Sequence, residues 1–284
     1  MSISLITPAE LTSLLSRVVL PVSIVDARTR QEFEAGHIPG AVHVDWEQWN
    51  ELPPPGTKAE LWEPGYWGSL DNPWKADFST RLSALGLSNE KTIVVYADGV
   101  TSKGREGRIA WMLLYLGASN VCLLNGGWQT WLNAGGEYEV NQSDTIKADF
   151  QIRLDHRRRV TLDRLGKACL KGDVLNSVDT RSVDEFDGHT FDYQVRTGHI
   201  PKAVRLGYES LFEGEYEFAS AESLLQNARI DLISSPGAFT YCEVGVRAST
   251  YALLTEILTG TIVPVYDGSV VEWGVYKELP LIRQ

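Results

Sequence analysis

A cysteine near the end of the chain is the residue best placed to do covalent chemistry. An apolar run ends at Cys242, and a helical pattern is under way by residues 248–258. This spacing predicts a strand followed by a helix, with the thiol at the helix N terminus. The helix dipole and the N–H groups found there favour a thiolate, which is the nucleophilic form of cysteine. Gly245 allows the tight turn that directs several N–H groups at one atom. The sequence therefore predicts a nucleophilic cysteine.

The residues around this cysteine are the candidates for substrate contact. Backbone N–H groups of the loop could hold an anion without any general base, and Arg247 could hold an anionic group as well. Asp179 lies at the end of a predicted strand and could approach the site, and Arg196 is a further cation. The predicted substrate-binding residues are Glu243, Val244, Gly245, Val246, Arg247, Asp179 and Arg196.

One pattern occurs twice along the chain. In the first half, Asp26-Ala27-Arg28 closes a buried strand and Gly36-His37-Ile38-Pro39 opens the next one. In the second half, Asp179-Thr180-Arg181 and Gly198-His199-Ile200-Pro201 stand in the same order. Strands that alternate with helices predict an α/β fold with a mostly parallel sheet in each half. Two large copies indicate a duplicated domain rather than a solenoid.

The duplication divides the chain into an N-terminal domain at residues 1–140, a linker at 141–159 and a C-terminal domain at 160–284. The charged run within the linker, Asp155-His156-Arg157-Arg158-Arg159, is interpreted as a solvated segment rather than a binding site. In the first half, alanine (Ala97) stands where the second half has its cysteine. We therefore expect the N-terminal domain to be catalytically silent.

Composition and charge exclude several classes of protein. A net charge of -11 and a pI near 5.0 argue against nucleic acid as a partner, because no surplus of basic residues is present to neutralise phosphates. No apolar run is long enough to span a bilayer, and no secretory signal pattern is visible. Three cysteines without paired spacing argue against a disulfide framework and a zinc knuckle, so we expect a cytoplasmic protein. The sequence shows neither a metal-ligand cluster nor a dinucleotide-binding fingerprint, so we expect no cofactor. Core packing is expected for Cys122 and Cys169.

Taken together, these motifs resemble the rhodanese family in its tandem, two-domain sulfurtransferase form. The resemblance covers nearly the whole chain and includes Cys242-x-x-Gly245-x-Arg247, the active-site loop of the family. It implies two tandem rhodanese-like domains, each a mostly parallel sheet flanked by helices. It also implies that Cys242 takes a sulfane sulfur from a small anionic or persulfide donor, such as thiosulfate or 3-mercaptopyruvate. The sulfur then passes to cyanide, a thiol or another protein.

The chain departs from the family pattern near the second Asp-x-Arg motif. Members that use thiosulfate or mercaptopyruvate typically have arginines there, whereas this chain has Asp184, Glu185 and Asp187. Glu243 adds a further negative charge within the loop. These carboxylates favour an uncharged or protein-borne persulfide donor over thiosulfate, unless Arg196 or Arg247 compensates.

Three alternatives remain beside thiosulfate sulfurtransfer. A related phosphatase is disfavoured, because such loops place five residues between cysteine and arginine and this loop places four. A non-catalytic rhodanese-type binding module is disfavoured by the intact loop. A 3-mercaptopyruvate sulfurtransferase is the nearest alternative reaction. His37 and His199 occur in both halves, including the half without a cysteine, and are therefore interpreted as structural.

Overall fold

The computed structural model of the chain describes residues 1–16, 22–140, 145–173, 175–189, 194–227, 230–233 and 235–284. The chain divides into two compact units, each assembled from three segments. Unit 1 comprises Met1–Trp46, Asn72–Asp155 and Phe212–Phe218, and unit 2 comprises Glu47–Asp71, His156–Leu211 and Ala219–Gln284.

Each unit contains a five-stranded sheet in which all neighbouring strands are parallel. The strands are β1 (Ser2–Ile6), β2 (Val22–Asp26), β3 (Ala41–His43), β4 (Thr92–Tyr96), β5 (Asn120–Leu124), β6 (Arg159–Val160), β7 (Ser177–Asp179), β8 (Val204–Arg205), β9 (Phe212–Glu213), β10 (Glu217–Phe218), β11 (Phe239–Tyr241) and β12 (Val265–Tyr266). The order is β1-β5-β4-β2-β3 in unit 1 and β6-β12-β11-β7-β8 in unit 2. Strands β9 and β10 form a separate antiparallel pair within unit 1.

Helices accompany both sheets in the same sequence order. They are α1 (Pro8–Leu15), α2 (Arg30–Ala35), α3 (Phe78–Ala84), α4 (Arg105–Leu116), α5 (Gly127–Asn133), α6 (Leu162–Leu170), α7 (Val183–Asp187), α8 (Ala221–Asn227), α9 (Ile230–Ile233), α10 (Val246–Thr259) and α11 (Ser269–Val275). The prediction of an α/β fold with two mostly parallel sheets is confirmed. No helix in the ranges described above is both long and apolar enough to cross a membrane.

Local signals placed most of these elements correctly. Thr7 forms a capping box at the start of α1, with Pro8 at the first helical position, and Gly117 ends α4. The sequence from Ile6 to Leu20 predicts a helix, whereas α1 ends at Leu15 and residues 17–21 lie outside the described ranges. The apolar run from Val174 to Val178 predicts a strand; Val174 lies outside the described ranges, and β7 begins at Ser177.

The interpretation of the charged run at residues 155–159 as solvated is wrong for two of its side chains. Asp155 and Arg158 are buried, and Nη2 of Arg158 lies 2.8 Å from Oε1 of Glu256 on α10. Arg159 lies in the edge strand β6, which pairs with β12. A buried arginine needs a charged partner, and that partner is distant in sequence, so composition alone gave no sign of it.

A hydrogen-bonded brace explains why both halves share the same motifs. In unit 2, Arg181 forms an ion pair with Asp179 and donates from Nη2 to the carbonyl of Gly198 (2.9 Å). The hydroxyl of Tyr241 accepts from the backbone N–H of Ile200 (3.0 Å). This brace fixes the end of β11, the strand that leads to the cysteine.

Unit 1 repeats the brace with its own residues. Arg28 pairs with Asp26 and donates to the carbonyl of Gly36 (2.6 Å), and Tyr96 donates its hydroxyl proton to Asp26 (2.6 Å). The histidines of the two turns stack on phenylalanines, His37 on Phe33 at 3.9 Å in unit 1. In unit 2, the His199 ring stacks on Phe186 at 3.7 Å between ring centroids. The contacts agree with the structural interpretation of both histidines.

Candidate active site

Cys242 lies between the end of β11 and the start of α10. Gly245 is the N-cap of α10 and adopts the left-handed conformation, with φ 78° and ψ 0°. A Cβ there would lie 2.6 Å from both Cα and the carbonyl oxygen of Asp267, so only glycine fits. The first hydrogen bond of the helix runs from the N–H of Ser249 to the carbonyl of Gly245 (3.3 Å). The N–H groups of the preceding first turn therefore have no acceptor within the helix.

The backbone of the cysteine is held by the segment that begins α11. The N–H of Cys242 donates to Oγ of Ser269 (3.1 Å), which in turn donates to the carbonyl of Tyr266 (2.7 Å). The N–H of Val270 donates to the carbonyl of Cys242 (3.3 Å). Hydrogen bonds to both the N–H and the carbonyl of Cys242 thus fix the position of its backbone. Ser269 is not among the site residues predicted from the sequence, because its contact with Cys242 spans 27 positions.

A segment from far earlier in the chain packs against the same loop. Asp267 accepts from the N–H of Leu70 (2.7 Å) and forms an ion pair with Arg159 (2.9 Å). Arg159 also donates to Oγ of Ser69 (3.2 Å) and to the carbonyl of Leu70 (3.0 Å). Both Ser69 and Asp267 are buried. This network of two backbone groups, one arginine and one carboxylate ties residues 69–70 to the base of the loop.

Arg247 is held by two carboxylates rather than left open. Its Nη1 and Nη2 lie 2.8 and 2.7 Å from the two oxygens of Glu185 on α7, and Nη2 also lies 3.3 Å from Oε2 of Glu243. Burial lowers the pKa of the Arg247 guanidinium, but the hydrogen bonds to Glu185 and the nearby Cys242 sulfur outweigh it and raise the pKa well above its usual value. Arg247 therefore stays charged, and its charge is neutralised locally.

Asp179 lies at the end of β7, opposite Tyr241 of β11, and Arg196 lies against the C-terminal segment. The Asp179 carboxylate accepts from the backbone N–H of Arg181 (3.0 Å) and from its guanidinium (2.6 Å). Arg196 donates to the carbonyls of Gly274 (2.9 Å) and Tyr276 (2.7 Å). Both side chains thus make structural contacts: Asp179 at the end of β7, and Arg196 with the C-terminal segment. The donor-binding roles of Asp179 and Arg196 stay predictions.

The corresponding loop of unit 1 is built differently. Ala97 follows β4, and the N-cap of α4 is Gly104. Six residues separate that pair, whereas two separate Cys242 from Gly245, and the extra residues form a short 3-10 turn at Gly99–Ser102. The N–H of Val100 donates to the carbonyl of Glu215 (2.9 Å). This loop has neither a thiol nor the short connection that places one at a helix N terminus.

The other two cysteines fit packing roles. Cys122 is buried in β5, where its sulfur lies 3.2 Å from Oγ of Ser4, and burial raises the pKa of its thiol. Cys169 is partly buried against the core of unit 2, and burial raises the pKa of its thiol as well. A raised pKa keeps a thiol protonated and poorly nucleophilic. In the part of the chain that the structure describes, no group of three His, Cys, Asp or Glu side chains could hold a metal ion.

Comparisons with known proteins agree with this geometry. A family model described as a rhodanese-like domain matches residues 7–134 and again 161–275. A thiosulfate sulfurtransferase from Gallus gallus is 30% identical over 86% of this chain and 80% of its own length. The sulfur carrier protein TtuD of Thermus thermophilus is 29% identical over 88% of this chain and 87% of its own length. The crystal structure of SseA from Escherichia coli, a 3-mercaptopyruvate sulfotransferase, superposes with a TM-score of 0.76 and 23% identity, over 93% of this chain and 98% of that one.

Proposed function

This chain belongs to the rhodanese family, and from that premise we propose that it is a sulfurtransferase in which Cys242 carries the transferred sulfur. The observation that carries the proposal is the position of Cys242, between the end of β11 and the N terminus of α10. A thiolate and its persulfide are both anions, and this position stabilises an anion through backbone dipoles alone.

The reaction has two half-reactions that balance without an external oxidant. The Cys242 thiolate attacks the outer sulfur of the donor, a new S–S bond forms, and the donor leaves with the electron pair of its broken bond. With thiosulfate, the leaving group is sulfite. In the second half-reaction the acceptor attacks the outer sulfur of the persulfide, and the Cys242 thiolate is the leaving group.

Each part of the loop has a role in this scheme. Ser269 and Val270 hold the peptide of Cys242, so the thiol keeps its position when the sulfur arrives and leaves. The backbone from Glu243 to Arg247 is the proposed cradle for the outer, charged sulfur. Unit 1, whose loop carries Ala97, is proposed to be catalytically silent.

Donor, acceptor and location are the finer parts of the proposal. Thiosulfate, 3-mercaptopyruvate and a persulfide are the candidate donors, and the names of the relatives support the first two. A thiol, cyanide or a protein is the acceptor. A cytoplasmic location is supported by the three cysteines, all free. The domain division at residues 1–140, 141–159 and 160–284 is supported by the two matched ranges.

The test is sulfur transfer to cyanide, measured as thiocyanate formed from thiosulfate and, separately, from 3-mercaptopyruvate. We expect turnover with at least one donor in the wild type and none in Cys242→Ser, whereas Cys169→Ser should keep wild-type turnover. Absence of turnover with both donors, together with no persulfide on the protein, would favour a non-catalytic binding module instead.

A further inference from the structure

The positive charge of Arg247 in the active-site loop is neutralised by the carboxylates of Glu185 and Glu243. Arg247 forms a two-pronged ion pair with Glu185 and a longer contact with Glu243. The exposed fractions of the side chains are 12% for Arg247, 7% for Glu185 and 26% for Glu243. The three groups sum to one negative charge before the thiolate is counted. Shielding from water makes this charge act over a longer range than it would at an open surface.

Glu185 is fixed in this position by a second set of contacts. It is the third residue of α7 and completes the capping box, because its Oε2 accepts from the N–H of Ser182 (3.0 Å). Its own N–H donates to Oγ of Ser182 (3.3 Å). The carboxylate therefore cannot turn away from Arg247 without giving up the helix cap. The helix cap at Ser182 therefore holds Glu185 in the rotamer that neutralises Arg247.

Two other arginines of unit 2 have partners of their own. The guanidinium of Arg181 is paired with Asp179, and that of Arg196 donates to backbone carbonyls. An anionic donor therefore meets the net negative charge of the Arg247, Glu185 and Glu243 group at the loop. Thiosulfate carries two negative charges, so it is repelled more strongly than a donor with one charge or none.

We propose that Glu185 determines donor specificity by setting the charge of the Cys242 site, and that the preferred donor is a hydropersulfide of an amine-bearing thiol. This inference rests on the proposed function. The Cys242 thiolate attacks the outer sulfur of R–S–SH, the new Cys242 S–S bond forms, and R–S⁻ leaves with the electron pair and later takes a proton from water. The ammonium group of such a donor is attracted by the same carboxylates that repel thiosulfate.

Single-turnover loading of Cys242 tests the proposal, with two donors of opposite charge. One donor is thiosulfate, and the other is the hydropersulfide of 2-aminoethanethiol. Persulfide formation is followed by intact-protein mass. The variant is Glu185→Gln, which keeps an amide oxygen for the helix cap but removes the negative charge. We expect thiosulfate loading to become faster and loading from the amine-bearing donor to become slower, and their ratio to change on the order of tenfold or more.

Asp184→Asn is the matched control. Asp184 precedes Glu185 on α7 and loses the same charge, but its side chain is 68% exposed and faces His189. It should leave the donor ratio nearly unchanged. The wild type supplies a second measurement that needs no variant. Added salt should speed loading from thiosulfate and slow loading from the amine-bearing donor, because screening weakens both the repulsion and the attraction.

The outcomes separate this inference from the function it rests on. If neither donor loads wild-type Cys242, the proposed function itself fails. If both donors load Cys242 but Glu185→Gln leaves their ratio within twofold and salt acts alike on both, the function stands and the role of Glu185 is refuted.

Discussion

Gly68 packs so tightly against the active-site loop that a Cβ on it would overlap the carbonyl oxygen of Val244 and lie 2.7 Å from that of Asp267. Two backbone segments that are far apart in sequence therefore meet without a side chain between them. The next residues, Ser69 and Leu70, are tied to the Asp267–Arg159 ion pair. Together these contacts hold the peptide between Val244 and Gly245 in place.

Gly68→Ala should therefore impair sulfur transfer without touching the thiol. The added methyl group cannot be accommodated unless the Val244 carbonyl moves, and movement of the loop misplaces the N–H groups around the sulfur. We expect kcat/KM to fall roughly 10- to 100-fold, since displacements of about 1 Å have effects of that size. The free energy of unfolding should fall by about 1–3 kcal/mol. Thiocyanate formation and urea denaturation measure the two effects.

Gly166→Ala is the control for that substitution. Gly166 lies within α6, and a Cβ there would meet only the Leu279 side chain at an ordinary 3.7 Å. Alanine should leave activity unchanged and stabilise the helix by roughly 0.5–1 kcal/mol. Equal activity losses in the two variants would show that the contact between Gly68 and Val244 has no special role.

Removing the tyrosine hydroxyl from either copy of the brace should lower the free energy of unfolding by a similar amount and leave sulfur transfer intact. Tyr241→Phe removes the acceptor for the buried N–H of Ile200, and Tyr96→Phe removes the acceptor for the N–H of Ile38 (3.1 Å). Each change should lower the free energy of unfolding by about 1–3 kcal/mol, because a buried donor loses its partner. Urea denaturation measures the loss. Persulfide formation should remain in both variants, and its disappearance in Tyr241→Phe alone would give that hydroxyl a role in catalysis.

Because Glu106 and Glu272 are buried, their contribution to the free energy of unfolding should fall as the pH rises. Burial is the main cause that raises the pKa of both Glu106 and Glu272 from 4.5 to about 7, against hydrogen bonds that lower it. Between pH 4.5 and about 7, both carboxyl groups therefore stay protonated in the folded protein, whereas they are ionised in the unfolded chain. Their stabilisation is therefore complete below pH 4.5 and is lost as the pH rises to about 7.

Glu106→Gln and Glu272→Gln should each flatten that dependence. Above pH 7.5 each variant should exceed the wild type in free energy of unfolding, by up to about 3 kcal/mol, and the difference should vanish near pH 4.5. Denaturation curves across pH 4.5–8 test this. Glu222→Gln, at an exposed carboxylate on α8, controls for the loss of one charge. Parallel pH curves for the wild type and both buried variants would contradict the prediction.

Features set by neighbours in sequence were predictable here. The loop from Cys242 to Gly245 follows from a strand, a glycine and a helical pattern within a dozen residues, and the capping box of Thr7 is likewise local. The duplicated motifs were visible because each copy must build the same brace. The absence of a thiol from the loop at Ala97 follows from a single residue type.

Contacts between distant segments were not predictable in the same way. Glu185 was noted as a carboxylate where an arginine was expected, but its ion pair with Arg247 spans 62 positions. Ser269 and Gly68 reach the loop only after the chain has folded, and a glycine selected for close packing looks like any turn glycine. The buried Arg158 was mistaken for a solvated charge, because its partner, Glu256, lies in α10, 98 positions away.

Intact-protein mass measured after exposure to a sulfane-sulfur donor tests the central claim most directly. Wild-type protein should gain the mass of one sulfur atom, located on Cys242 by peptide analysis, and cyanide should remove it and yield thiocyanate. Cys242→Ser should gain nothing, although it retains Cys122 and Cys169. Sulfur that is found on another cysteine, or that persists in Cys242→Ser, would contradict the account.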